Sequence, residues 1–210
     1  MRQFVLIVAL LTQLGLPVLA QAQADVEARL NAALKKLDNV TADFKQTVLD
    51  DQKKIVQQSS GRVAISRPGK FSWIYTSPYE QKIIGDGVEL WVYDVELDQV
   101  TVKPIEAGLA NAPIMILMKQ SDITADFTVS EVGQRKYLYW VSLEPKTSEL
   151  EFSQVYIGLE NEVVKAMELR DSFGQSTQIV FENLRTNVVH RPETFTFVPP
   201  EGVDVFGVGG

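Results

Sequence analysis

The sequence predicts a mainly β (α+β) fold: a single strongly curved antiparallel sheet with helices covering its concave face. Three observations lead there. Short aromatic and β-branched runs recur through most of the chain, split by turn clusters about 8–12 residues apart, the rhythm of sandwiches and barrels. No strand run alternates with helices as a βαβ unit requires, so parallel pairing is not expected. Only two helical patterns occur, one amphipathic and ahead of the strands, one short and apolar in their midst, and each must lie against a sheet face.

The chain begins with Met1-Arg2, an apolar run from Phe4 to Leu11 and small residues at Ala20, Ala22 and Ala24. This is the pattern of a cleaved secretory signal peptide over residues 1–24. Gln13 and Pro17 interrupt the run, which falls short of the roughly 20 residues a membrane span needs. Residues 25–210 are then expected to form one exported, soluble domain, since no linker or repeat divides them. Residues 25–45 carry helical periodicity, with Val26, Leu30, Ala33, Leu34 and Leu37 on one stripe. Val40 and Phe44 either extend that stripe or mark the passage into a strand. Residues 41–56 read as a first hairpin around Asp50-Asp51-Gln52-Lys53.

Residues 61–104 organise the rest. Turn residues stand at Arg67-Pro68-Gly69-Lys70, Thr76-Ser77-Pro78 and Gly85-Asp86-Gly87. Alternation puts Val63, Ile65 and Arg67 on one face of a strand, and Phe71, Trp73 and Tyr75 on one face of the next. An arginine at the end of an apolar row needs partners, and carbonyls at a helix C-terminus would suit it; otherwise it reaches solvent at the strand end. Residues 113–120 are apolar at almost every position and read as a short helix, with Asn111 as cap and Pro113 in the first turn. Met115, Ile116, Leu117 and Met118 form either an adaptable binding surface or a plug for the core. Residues 121–126 suit a further helical turn. Strands follow at 127–132, 137–143, 150–158, 163–171 and 176–184, then a short one at 195–198 before Pro199-Pro200. The inventory is about ten strands, with a loose tail to Gly210.

Composition narrows the function. A net charge of −7 disfavours nucleic acid, and the absence of cysteine removes thiol nucleophiles, zinc–thiolate sites and a lipid-modified cysteine. The single histidine, His190, sits in a polar stretch and reads as solvent-facing; no Gly-x-Ser-x-Gly elbow, metal motif or phosphate loop accompanies it. The chain is expected not to be an enzyme and to use no cofactor. Apolar binding is better supported: a curved sheet under apolar helices buries a core if the fit is tight and forms a lipid pocket if it is loose.

Five segments in order resemble the LolA family of periplasmic outer-membrane lipoprotein carriers. They are Phe44-Lys-Gln46; the stretch from Arg67-Pro68-Gly69-Lys70-Phe71-x-Trp73 to Gln99-Val100; Asn111-Ala-Pro-Ile-Met-Ile-Leu117; Asp171-x-x-Gly174-Gln-x-Thr177 with Phe181; and Phe195-x-Phe197-x-Pro199-Pro200-x-Gly202-Val203-Asp204-Val205. The resemblance implies a single incomplete antiparallel β-barrel closed by three helices as a lid, with a hydrophobic cavity that shields lipoprotein acyl chains. Val63, Ile65, Phe71, Trp73 and Tyr75 would line it from the sheet. Leu30, Leu34, Leu37, Met115, Ile116, Leu117 and Met118 would line it from the helices. It implies Arg67 as the latch of a lid at residues 113–118, and Phe71 near a partner-docking surface. Its partners would be lipoproteins, a LolCDE-type ABC transporter of the inner membrane and, where present, a LolB-type outer-membrane receptor. That receptor is itself a lipoprotein, and a chain without cysteine resembles the soluble carrier instead, expected as a monomer. The alternative is a periplasmic lipid- or lipoprotein-sensing module of the same open-barrel shape.

Overall fold

The structure is a computed structural model that describes residues 16–106, 113–119, 122–148 and 150–207. Helix α1 spans Leu16–Lys35. Six strands follow: β1 (Asn39–Leu49), β2 (Ile55–Ser66), β3 (Lys70–Ser77), β4 (Gln81–Asp86), β5 (Glu89–Asp94) and β6 (Gln99–Pro104). Helix α2 covers Ile114–Met118. Then come β7 (Phe127–Arg135), β8 (Leu138–Pro145), β9 (Phe152–Glu160), β10 (Val163–Asp171), β11 (Ser176–Thr186) and β12 (Asp204–Gly207). All twelve strands join one open sheet in the order β12-β6-β5-β4-β3-β2-β1-β11-β10-β9-β8-β7.

Two meanders build this sheet, and the pairing of β1 with β11 welds them, with Phe44 opposite Phe181. Curvature lets one face wrap a continuous core. Val26, Leu30, Ala33, Leu34 and Leu37 of the α1 end and the loop after it are all buried there. The stripe stops because the helix stops at Lys35: Val40 and Phe44 belong to β1 and reach the same core by period-2 alternation. The predicted leader falls mostly outside the described residues, and its last part, from Leu16, continues into α1. Among the described residues no helix is long and apolar enough to cross a membrane. The proposed cap Asn111 also lies outside the described residues. The helical turn after α2 is a short 3₁₀ segment, Ile123–Ala125, capped by the Asp122 carboxylate accepting from the Thr124 N–H.

The C-terminal segment departs from the sequence reading. Residues 195–198 are not a strand. Pro192–Phe195 is a 3₁₀ turn, and the chain beyond it straps the convex face of the first meander. Phe197 packs 5.8 Å from Trp91 and 5.6 Å from Tyr93, ring centre to ring centre. The strap explains why Ser72, Ile84, Val100 and Val102 are buried although they face away from the core. It also delivers β12, which pairs parallel with β6, Val205 beside Val100. The parallel pair departs from the antiparallel expectation, and residues 204–207 form a strand within the stretch expected to be loose; a four-residue edge strand carries too little periodicity to be read.

Candidate functional site

The site is built on the inner face of β1, β2 and β3. Their register places Ala42 beside Val63, Val63 beside Trp73 and Ile65 beside Phe71. Phe44 fills the space left by the missing side chain of Gly61. A Cβ at Gly61 would stand 1.9 Å from the Ile74 carbonyl oxygen and 2.8 Å from the Phe44 ring. Gly85 makes a second hollow, where a Cβ would stand 2.4 Å from Phe71. Phe44, Trp73, Tyr75 and Phe181 form an aromatic cluster, with Phe44 and Trp73 centred 4.5 Å apart and Trp73 and Phe181 6.3 Å apart. The Tyr75 hydroxyl donates to Gln46 Oε1 at 3.1 Å. Burial raises the Tyr75 pKa, opposed by its neighbours Trp73 and Gln46. The buried Trp73 Nε1 lies near enough to influence that hydroxyl, yet no acceptor meets it at hydrogen-bonding geometry.

Arg67 stands just past the end of β2, and its side chain is 3% exposed. Its backbone N–H donates to the Asp38 carbonyl at 2.8 Å. One guanidinium nitrogen donates to the Leu117 carbonyl in α2, and another reaches Asp38 Oδ1 at 3.4 Å. Nε is buried without a partner. Leu117 belongs to the last turn of a five-residue helix, whose terminal carbonyls lack intrahelical donors, so the contact answers a need on both sides. Burial pushes the guanidinium below its ordinary value, and Asp38 counteracts this. Of the two sequence readings of Arg67, the structure adopts the carbonyl partner rather than solvent.

The residues expected to line a cavity are brought together, but they enclose little free space. Leu30, Leu34, Leu37, Val63, Ile65, Phe71, Trp73, Ile116, Leu117 and Met118 belong to one buried cluster, with Tyr75 and Met115 packed at its edge. A cavity of only about 10 Å³ remains between Leu37, Val40, Val63, Leu117, Phe181 and their neighbours. That is below the roughly 300–1,000 Å³ usual for small-molecule sites. The apolar surface is a packed core covered by α2. Phe71 is wholly buried against Gly85, so it presents nothing to a docking partner here. His190 is half-buried, its ring 5.0 Å from Phe195, because the convex strap covers it; it is not solvent-facing. Among the described residues no group of three or more His, Cys, Asp or Glu could hold a metal. Sequence reasoning passed over Val40, Ala42, Phe181 and Leu184 as contributors to the cavity. Their alternation in β1 and β11 was the available signal.

The family model for the outer membrane lipoprotein carrier protein LolA matches residues 35–198. The chain belongs to the LolA family. An outer-membrane lipoprotein carrier protein of Methylococcus capsulatus is 41% identical over 187 residues, covering 89% of this chain and 90% of the relative. One from Nitrosospira multiformis is 44% identical over 177 residues, covering 84% and 86%. The fold is also similar to the crystal structure of a conserved protein of Thermus thermophilus, with a TM-score of 0.58 at 11% identity over 87% of this chain and 99% of that one. The LolA match takes in β1 to β11, Arg67 and α2; most of α1 and all of β12 lie outside it.

Proposed function

We propose that this LolA-family chain is a soluble periplasmic carrier that shields lipoprotein acyl chains between its curved sheet and its helices. In this reading a cleaved signal peptide exports it, a LolCDE-type transporter loads it and a LolB-type receptor unloads it. It works as a monomer without catalysis or cofactor. The observation that carries the proposal is the Arg67 contact with Leu117, which closes α2 over an interior that is apolar but sealed.

A sealed interior is what a carrier needs when empty. Each acyl CH₂ buried contributes about 0.8 kcal/mol, so partly covered chains supply ample affinity once α2 moves. The harder task is release, which needs a closed state that competes with the cargo. A hydrogen bond from a charged donor contributes about 1.5–3 kcal/mol, and Arg67 places that stabilisation on the closed state alone. Arg67→Leu removes it and also relieves the unpartnered Nε, so the fold should survive. The variant should bind apolar ligand more tightly, by roughly tenfold, and pass it on poorly.

The decisive experiment incubates the purified protein with ATP and vesicles holding the transporter and a tagged lipoprotein. Cargo should appear in the supernatant as a one-to-one complex only when this protein is present. Arg67→Leu should collect cargo yet fail to deliver it to outer-membrane vesicles. Normal delivery by that variant would refute the latch, and absence of any soluble complex would refute the carrier.

A further inference from the structure

The inner face of β1–β5 changes character along its length. At the Arg67 end it is wholly apolar. Towards the other end, beyond Phe44 and Trp73, the same alternation brings in Gln46, Gln57, Ser59, Tyr75, Gln81 and Asp94, which line an open cleft of about 230 Å³. Register holds them together: Gln46 lies beside Ser59, Tyr75 beside Gln81, and Gln81 beside Asp94. Ser59 is 8% exposed, and its buried Oγ has no hydrogen-bond partner. Since the Tyr75 hydroxyl donates to Gln46 Oε1, the Gln46 amide NH₂ is the group left for a ligand. The lining residues include no lysine or arginine. Of its two acids, Glu80 is paired with Lys82 at 3.1 Å, whereas the Asp94 carboxylate accepts only the Leu97 N–H at 3.3 Å among the contacts described.

We infer that this polar mouth is a binding subsite for the uncharged, carbonyl-bearing head of an acylated polypeptide: the ester and amide groups that join acyl chains to the peptide. The inference rests on the carrier reading and adds a source of selectivity to it. An apolar interior holds any acyl chain, including those of phospholipids. Hydroxyl and amide donors at the mouth match ester and amide carbonyls. The Asp94 carboxylate, with no ion pair among the described residues, opposes a phosphate headgroup, which takes Arg or Lys partners. A buried hydroxyl left unpaired costs free energy until a ligand meets it, so it discriminates for ligands that supply an acceptor.

The test uses the full exported domain and three probes. One is a synthetic peptide whose N-terminal cysteine carries two ester-linked chains and one amide-linked acyl chain. The second is phosphatidylglycerol, and the third is the apolar dye phenylnaphthylamine. Wild type should bind the lipopeptide well above phosphatidylglycerol. A Gln46→Leu, Ser59→Ala variant should bind the lipopeptide about tenfold more weakly, with dye binding unchanged. Asp94→Lys should narrow the preference by raising affinity for phosphatidylglycerol, and it provides a second readout should the double variant fold poorly. If the variants keep wild-type affinity and preference, or the wild type prefers phosphatidylglycerol, the mouth subsite is wrong although a carrier of acyl chains still stands. If wild type binds neither lipopeptide nor dye, the carrier reading falls and takes the subsite with it.

Discussion

The two halves of the sheet face one interior with different chemistry. The second meander lines it with Val141, Leu143, Val155, Ile157 and Met167, all at most 1% exposed, and α1 rests against β7 and β10. The first meander lines it with aromatic rings, two glycine hollows and a buried arginine. It also holds Ser59 Oγ, Arg67 Nε and Trp73 Nε1 buried without partners, against Ser176 Oγ alone on the strands of the second meander among the described residues. Each such group costs about 1–3 kcal/mol. The second meander is therefore the better satisfied scaffold, and the first keeps unspent polar capacity beside α2, where the proposed ligand would engage it. A binding protein whose whole interior were as satisfied as the second meander would have little reason to open.

That contrast can be broken by mutation, and the largest effect belongs to the scaffold. Leu143→Ala leaves a cavity in the fully buried half and should lower stability by about 2–5 kcal/mol, read from urea unfolding. Lipopeptide affinity should stay within about twofold while the variant remains folded. A comparable fall in affinity would mean that the halves are not distinct. Gly85→Ala should cost less, about 1–3 kcal/mol, because the new methyl crowds a side chain and not the backbone. It should nevertheless change dye binding, since Phe71 must shift within the working half. Unchanged dye binding with lowered stability would place Phe71 outside the ligand's path.

The smallest effect concerns pH. Burial alone would raise the pKa of Asp86 in the β4–β5 turn. The N–H groups of Glu89 and Val88 and the Trp91 indole more than offset this and hold the carboxyl below its ordinary value of 3.8. A depressed carboxyl stabilises the fold above its unfolded pKa and loses that contribution as pH falls through the lower, folded value. Acid should therefore weaken this turn only below about pH 4. Asp86→Asn should flatten the acid limb of the stability curve slightly and leave pH 7 binding untouched, as urea midpoints at pH 3 and 7 would report.

Much of the working half was legible because alternation is a strong signal over long hairpins. Val63, Ile65, Phe71 and Trp73 follow directly from it, and so does the inward position of Arg67. The carbonyl that meets Arg67 was legible only as a class, since nothing local says which helix end will cross the strand. The convex face was not legible. Trp91 and Tyr93 look like solvent-side residues of β5 until Phe197 arrives from the far end of the chain. The polar mouth was passed over for a related reason. Gln46 and Ser59 are unremarkable in sequence, and their meaning comes from β1–β2 register and from the burial of one hydroxyl.

The weld between β1 and β11 has a consequence for how the molecule is made. Chains leave the ribosome and cross a membrane N-terminus first, so the aromatic meander emerges with one flank of β1 unpaired. Its partner strand, with Phe181 opposite Phe44, comes only after the whole second meander. Until then an edge strand and a row of aromatic rings stand open to neighbouring chains. Pairing across so long a loop is slow by its topology. A protein that keeps other molecules' apolar groups out of water thus passes through a stage in which its own are exposed, and slow export or crowding should reveal itself as aggregation through the first meander.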